Sequence, residues 1–217
     1  RPMPQTDQRQ NHIEAPIEPL MRAVPMPIET ERLILRPTQT GDGAALAEAV
    51  QETWDQLNEW MIWAKDRAGA TEEMYESYAR ENAARFIQRE NFAILAFERA
   101  SGRLIGSTGL HQPDWTLGRC EIGYWVRTSA QGQGYAQEIA HALTVYAFNA
   151  LQMNTVLIAH AAGNDRSQRI IERLGFAPCG VIPNGIIVPS GALLAEHIYC
   201  RTDLNGLPER PVSWPEP

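Results

Sequence analysis

The sequence predicts a single mixed α/β (α+β) domain, in which a central mixed sheet of about seven strands is flanked by helices on both faces. Two patterns support this fold class. Between residues 92 and 126, three apolar segments are separated by turn residues, as in an antiparallel meander. From residue 133 onward, amphipathic segments alternate with short apolar ones, as in strand–helix–strand connections. A chain that contains both kinds of connection forms a mixed sheet.

The individual elements follow from local signals. The segment 32–36 is short, apolar and followed by Pro37, which favours a strand. Thr40 or Asp42 would cap the alanine-rich helix that comes next, and Gly175 would end a later helix. The predicted strands are residues 32–36, 92–97, 103–110, 120–126, 155–159, 176–182 and 193–201. The predicted helices are residues 40–50, 71–90, 133–149 and 165–174.

Proline sets the predicted domain boundaries. Ten of the 15 prolines lie in residues 1–27 or 208–217, where they oppose regular structure. We therefore expect a weakly ordered N-terminal extension over residues 1–27, one domain over residues 28–204, and a proline-rich tail over residues 205–217.

The composition argues against several function classes. A formal net charge of −7 disfavours a broad nucleic-acid groove, and no 18-residue apolar run indicates a membrane helix. The first residues contain no secretory signal pattern. Three cysteines, far apart and odd in number, predict neither a disulfide framework nor a zinc site and favour a reducing cytoplasm. Lys65 is the only lysine, and no Gly-Lys-Ser/Thr is present, so a Walker A loop is excluded.

A glycine-rich turn, Gln131-Gly132-Gln133-Gly134-Tyr135-Ala136, joins the third meander strand to the helix 133–149. Backbone N–H groups at a helix N-terminus lack intrahelical partners, and the helix dipole adds partial positive charge. Glycine lets the backbone approach a phosphate closely, which favours a diphosphate-bearing cofactor. Gln137 stands where a dinucleotide motif needs a third small residue, so a Rossmann site is disfavoured. The alternative is a turn that binds nothing.

A second segment begins the helix 165–174. Asn164 can cap this helix, and Ser167 shares one helical face with the apolar Ile170, Ile171 and Leu174. Ser167 therefore lies at the rim of the buried stripe, where it can face a crevice at the carboxyl ends of the strands. The alternative is that Ser167 only caps the helix.

These two segments resemble the GNAT N-acetyltransferase superfamily. The first is similar to its Gln/Arg-x-x-Gly-x-Gly/Ala pyrophosphate loop for acetyl-coenzyme A, and the second follows about 30 residues later in the order that the family has. Three further segments resemble the RimJ/RimL-type branch of this superfamily. They are Glu29–Pro37, Leu57-x-x-Trp60-x-x-Trp63 and Glu121–Val126.

The resemblance implies the cofactor site. Acetyl-coenzyme A, without a metal, would bind where the third meander strand and the strand 155–159 separate. Backbone groups of Trp125, Val126 and Arg127 would contact pantetheine and thioester, and a donor aimed at the developing oxyanion contributes about 3 kcal/mol. Amides from Gln131 through Gly132, Gln133, Gly134 and Tyr135 to Ala136 would bind the pyrophosphate. Asn164 would contact the pantetheine arm.

The resemblance also suggests the catalytic groups. The superfamily often has a tyrosine acid seven residues after the Asn, but Ile171 stands there, so Ser167 is the favoured acid, with Tyr124 and Tyr135 as less favoured alternatives. Glu121 is the favoured base. The alternatives are His111, which is also placed in the acceptor site, proton transfer through ordered water, and a structural role for Glu121.

Two segments have two interpretations each. Trp60 and Trp63 share a helical face, so they either pack in the core or wall the acceptor pocket, as the resemblance suggests. The segment 183–191 is expected to be a loop with an apolar centre, which either closes over the substrate or packs against a second subunit.

The expected function is acetyl transfer from acetyl-coenzyme A to a primary amine by direct attack in a ternary complex. The acceptor would be a protein α-amino group, of the ribosomal-protein type, or a small-molecule amine. The alternative is a non-catalytic acetyl-coenzyme A sensor or partner module, which the departure at Ile171 supports. We expect a cytoplasmic protein with no nucleic-acid or membrane partner, and the branch implies a homodimer. A hydrolase is disfavoured because neither a Gly-x-Ser-x-Gly elbow nor a His-x-x-x-His pair is present.

Overall fold

A computed structural model describes residues 18–216 and confirms the mixed α/β architecture. The helices are α1 (Gly43–Trp60), α2 (Glu72–Ile87), α3 (Tyr135–Asn149) and α4 (Asp165–Arg173). The first five strands are β1 (Ile28–Thr30), β2 (Leu33–Pro37), β3 (Phe92–Glu98), β4 (Leu104–Asp114) and β5 (Arg119–Val126). The last four are β6 (Thr155–Ala161), β7 (Ala177–Ile187), β8 (Leu193–Arg201) and β9 (Val212–Ser213).

The sheet has nine strands in the order β7-β8-β6-β5-β4-β3-β2-β1-β9, rather than about seven. The two unpredicted strands, β1 and β9, are only three and two residues long and pair with each other. Strands β3 to β5 form the predicted antiparallel meander, β2 adds to it antiparallel to β3, and β5 pairs with β6 in parallel across α3. Elements this short lack a periodic signal, which explains why the sequence did not predict them.

Helices cover both faces of the sheet, as predicted. On one face, α3 packs on even-numbered positions of β5 such as Cys120 and Ile122. On the other face, α1 and α2 pack around Leu95, and Trp125 lies against this second cluster. Side chains alternate along a strand, so Glu121, Gly123 and Trp125 all belong to the α1–α2 face.

Both ends of the described chain differ from the prediction of weakly ordered extensions. Residues 1–17 of the predicted N-terminal extension lie outside the described residues. Val24 and Met26 pack against the main core, and the Pro25 carbonyl accepts a hydrogen bond from Tyr146 at 3.0 Å. Trp214 stacks edge-on against Tyr146. Apolar contacts and strand pairing therefore order proline-rich segments that have little local preference for structure.

One cysteine prediction was wrong. Cys179, at an irregularity in the pairing of β7 with β8, and Cys200 of β8 form a disulfide, with their Cα atoms 5.9 Å apart. Cys120 is free and buried. Within residues 18–216, none of the helices has the length and apolar character required to span a membrane.

Candidate active site

The site begins where β5 and β6 separate. Their pairing ends at Glu121 and Leu157, although β5 continues to Val126 and β6 to Ala161. The Arg127 N–H donates to the Ile105 carbonyl at 2.8 Å. Because backbone groups alternate in direction along a strand, those of Val126 point away from β4, into the opening. An extended ligand arm can therefore pair with Val126 there.

Arg127 and Trp125, two predicted cofactor contacts, are turned away from this opening. The Arg127 side chain is 1% exposed, and its guanidinium contacts Glu52 at 2.9 Å and Glu48 at 2.6 Å. This guanidinium lowers the pKa of Glu52 to about 2. Trp125 opposes Ser107 of β4 and packs under α1 and α2. Arg127 and Trp125 therefore support β5 on the side turned away from the opening. Of the three predicted residues Trp125, Val126 and Arg127, Val126 faces the opening.

The glycine turn has the conformation that an anion site needs. Gly132 and Gly134 adopt φ values of +74° and +83°, in the left-handed region that glycine tolerates best. Within the described residues, backbone N–H groups from Gly132 to Gln137 donate to no acceptor. The first N–H bonded within the helix region belongs to Glu138, which reaches the Gly134 carbonyl at 3.0 Å. A row of exposed donors thus stands at the positive end of α3.

Arg32 holds this turn in place. Its guanidinium donates to the Gln133 carbonyl at 3.0 Å and pairs with Glu138 of α3 at 2.6 Å. It also stacks on the ring of Tyr135, whose hydroxyl donates to Glu98 at 2.6 Å. The side chain of Tyr135 is therefore structural, and only its backbone N–H remains for a ligand.

Gln131 connects the turn to its neighbours. Its amide donates to the Val126 carbonyl at 2.9 Å and to Gln56, and its amide oxygen accepts from Arg166 at 3.2 Å. The Gln131 N–H itself is bonded to the Thr128 carbonyl. Arg166 is an exposed cation beside the row of free N–H groups, and the sequence reasoning missed it. The sequence feature that could have indicated Arg166 is its position between Asn164 and Ser167, two predicted site residues.

Ser167 meets Tyr124 across the opening. The two hydroxyl oxygens are 3.1 Å apart, although they are 43 residues apart in sequence. Asn164 is the cap of α4, because its side chain accepts from the Ser167 N–H at 3.2 Å. The Ser167 hydroxyl is therefore not the cap. Burial raises the pKa of Tyr124 to about 12, so that hydroxyl stays protonated at neutral pH.

Glu121 and His111 face each other on β5 and β4, on the α1–α2 side of the sheet. Burial raises the pKa of Glu121, and the nearby carboxylate of Glu196 raises it further. Burial lowers the pKa of His111, which favours the neutral ring. His111 Nδ1 lies 2.8 Å from Asn91 Oδ1. The two candidate bases thus share one surface, next to the opening.

The two tryptophans that were predicted to line the acceptor pocket, Trp60 and Trp63, lie in different surroundings. Trp60, at the end of α1, reaches the β6–α4 turn, where a Cβ added to Gly163 would lie 3.6 Å from its ring. Trp63 lies beyond the end of α1 and is 48% exposed. Trp60 therefore lies near Asn164 and the opening, which the sequence alone did not establish.

The predicted loop 183–191 is mostly strand. β7 runs to Ile187, and the reversal into β8 occurs over residues 188–192. Several apolar side chains of this hairpin are exposed: Val181, Ile182, Ile187 and Leu193.

Comparisons with known proteins find relatives and a family model over most of this chain. The family model described as acetyltransferase (GNAT) domain matches residues 32–177. A Bacillus subtilis protein named "Putative ribosomal N-acetyltransferase YdaF" is 29% identical over 161 residues, which are 73% of this chain and 85% of the relative. A solved structure titled as a probable acetyltransferase has 25% identity and a TM-score of 0.73, covering 79% of this chain and 93% of its own. Mycobacterium smegmatis RimJ, solved with a coenzyme A disulfide, has 19% identity and a TM-score of 0.76, covering 88% and 92%.

Over residues 18–216, no group of three or more His, Cys, Asp or Glu side chains is arranged to hold a metal ion. The chemical groups that the site does offer are a row of amide donors, a hydroxyl pair, a carboxyl with raised pKa and an imidazole.

Proposed function

The chain belongs to the GNAT acetyltransferase family, and we propose that it transfers the acetyl group of acetyl-coenzyme A to the α-amino group at a protein N-terminus. The name of the relative YdaF, a putative ribosomal N-acetyltransferase, supports a ribosomal-protein acceptor, and with that acceptor we propose a cytoplasmic location. The acceptor reacts by direct attack while both substrates are bound. A small-molecule amine is the other acceptor class.

The observation that supports the cofactor assignment best is the row of unpaired N–H groups from Gly132 to Gln137. A Cβ added to Gly132 would meet nothing within 4 Å, so a pyrophosphate has open access to the turn. Arg166 lies near enough to Gln131 to add a positive charge to the phosphates. The residues present therefore fit coenzyme A, with its pantetheine arm running along Val126 in the opening.

Glu121 takes the first of the two protons that the nitrogen loses, and the Ser167–Tyr124 pair gives one proton to the sulfur. Glu121 takes one proton from the ammonium, and the freed nitrogen lone pair attacks the thioester carbonyl. The Val126 N–H, which faces the opening, donates to the carbonyl oxygen as negative charge develops. When the tetrahedral species collapses, its nitrogen releases a second proton to solvent water, the new C–N bond remains and the C–S bond breaks.

Ser167 protonates the sulfur that leaves. Its hydroxyl proton passes to the thiolate, and Tyr124 donates a hydrogen bond that stabilises the serine oxygen until solvent restores the proton. The Tyr124–Ser167 pair thereby replaces the tyrosine that Ile171 cannot provide. The pair lies on the α3–α4 side of the opening and Glu121 on the α1–α2 side, which suits an amine and a thiol entering from opposite sides.

Mass spectrometry of acetylated peptides tests this proposal. The purified protein is incubated with acetyl-coenzyme A and peptides whose free N-terminal residue is serine or alanine. We expect one acetyl group on the α-amino nitrogen and an equal amount of free coenzyme A. Release of coenzyme A without peptide acetylation would refute the proposed acceptor, and no release with any amine would refute the activity.

A homodimer is a further part of the proposal. The exposed apolar side chains of the β7–β8 hairpin support it, because a patch of this kind is usually covered by a partner. Light scattering of the protein and of an Ile182→Asp variant tests it. We expect a dimeric mass that the substitution lowers to the monomer, and a monomeric mass for the unmodified protein would contradict it.

A further inference from the structure

His111 is connected to α2 through two asparagine side chains. His111 Nδ1 lies 2.8 Å from Asn91 Oδ1, Asn91 Nδ2 lies 3.1 Å from Asn82 Oδ1, and Asn82 Nδ2 lies 3.0 Å from the Tyr78 carbonyl. Asn82 is 6% exposed, so it depends on these partners. The series links the sheet, at β4, to the helix that covers it.

The Tyr78 carbonyl, at the end of this series, determines which group is the donor in every hydrogen bond. A backbone carbonyl only accepts, so the Tyr78 carbonyl requires the NH2 group of Asn82. The Asn82 oxygen then requires the NH2 group of Asn91, which turns the Asn91 oxygen toward His111. His111 must therefore carry its proton on Nδ1 in the neutral ring. Nε2 is left with a free lone pair.

The ring of His111 leans along β4 and β5 toward their Val126 end. Gly109 and Gly123 oppose each other two pairs further along than His111 and Glu121, on the same face and in the direction of Val126. A Cβ added to Gly109 would come 3.0 Å from Nε2, and one added to Gly123 would come 3.2 Å from it. The ring thus lies over two glycines, with Nε2 displaced toward the end of β5 where β5 has separated from β6.

We infer that the Asn82–Asn91 pair locks His111 as a hydrogen-bond acceptor, and that Nε2 accepts an N–H of the attacking amine beside Glu121. The inference rests on the proposed function. A primary ammonium that has given one proton to Glu121 keeps two N–H bonds and one lone pair. One N–H directed to Glu121 and the other to Nε2 leave the lone pair free to attack the carbonyl. His111 is thus a specificity residue for primary amines, and Asn82 and Asn91 are positioning residues.

Nitrogen-15 NMR of the full chain tests the tautomer without any substrate. The His111 signals among the five histidines are identified by their loss in His111→Leu. We expect protonated Nδ1 and bare Nε2 in the unmodified protein and in Asn91→Asp, which keeps an oxygen acceptor. Asn91→Leu should release the ring to the other tautomer, and Asn149→Leu, on the exposed end of α3, should change nothing. A proton on Nε2 in the unmodified protein would overturn the inference, whatever the activity.

A matched pair of peptides tests the role in specificity. One peptide has a free N-terminal alanine, and the other has the same sequence with one methyl group on that nitrogen, which removes an N–H. We expect the enzyme to prefer the primary amine, and His111→Leu to lower kcat/KM for it about tenfold while the methylated peptide changes little. The KM for acetyl-coenzyme A should stay constant.

Gly123→Ala provides an independent variant, because its Cβ would meet only the His111 ring, at 3.1 Å. We expect it to reduce the preference for the primary amine in the same way as His111→Leu. Equal losses on both peptides in His111→Leu, or an unchanged preference, would overturn the inference. If no peptide is acetylated at all, the proposed acceptor fails, while the NMR result still decides the tautomer.

Discussion

Ser167→Ala separates a chemical role for this hydroxyl from a packing role. Its oxygen lies 3.1 Å from that of Tyr124, which is long for a hydrogen bond between hydroxyls. Such a bond contributes about 0.5–1.5 kcal/mol, so its loss alone changes stability or cofactor affinity by less than about tenfold. Proton transfer to the thiolate contributes about 10²–10⁴-fold. We therefore expect kcat to fall at least about a hundredfold, with Kd for acetyl-coenzyme A changed only a few-fold.

A double-mutant cycle with Tyr124→Phe completes the test. If the two hydroxyls act as one unit, the double variant should be about as slow as Ser167→Ala alone, because groups that act together are not additive. The assay is stopped-flow detection of released thiol together with calorimetric Kd values, and Ser213→Ala, on the exposed strand β9, is the control. A kcat loss below about tenfold in Ser167→Ala, or strictly additive effects, would refute the acid role.

Three further predictions concern the turn, the base and the support beneath them. Gly134→Val should weaken acetyl-coenzyme A binding at least about tenfold in a calorimetric titration, since φ is +83° and the N–H row must stay open. Gly206→Val has similar strain at φ +72° far from the turn, and an equal loss there would show that strain alone is responsible. Glu196→Gln removes a negative charge that raises the pKa of Glu121. The acidic limb of the pH–kcat/KM profile should therefore move to lower pH. A shift to higher pH would contradict the assignment of that limb to Glu121. The pKa of Glu52 is lowered to about 2, so its stabilising contribution is complete above pH 4.5 and is lost as pH falls toward 2. Acid unfolding of Glu52→Gln, followed by circular dichroism, should therefore depend less steeply on pH over that range, and an unchanged slope would refute this role.

Local features of the sequence predicted the glycine turn and the starts of α3 and α4 in the candidate site. The glycine positions and the helix that follows are encoded within residues 131–149, and the cap at Asn164 is encoded by its immediate neighbours. Such signals depend on backbone conformation and short-range hydrogen bonds, which sequence patterns report directly. The fold class was predicted for the same reason.

Features that depend on distant partners were missed. The role of Arg127 depends on Glu48 and Glu52 of α1, and nothing near residue 127 indicates these partners. The disulfide depends on the register of β7 against β8. The short strands β1 and β9 depend on pairing, of β1 with both β2 and β9 and of β9 with β1. Likewise, the tautomer of His111 follows from residues 20 and more positions away.

The most direct test of the central claim is a calorimetric titration of the full chain with acetyl-coenzyme A, run beside free coenzyme A and NAD. We expect one-to-one binding of both coenzyme A forms, no binding of NAD, and loss of binding in Gly134→Val. Tight binding of NAD, or no binding of either coenzyme A form, would contradict the assignment of the N–H row to the pyrophosphate of coenzyme A.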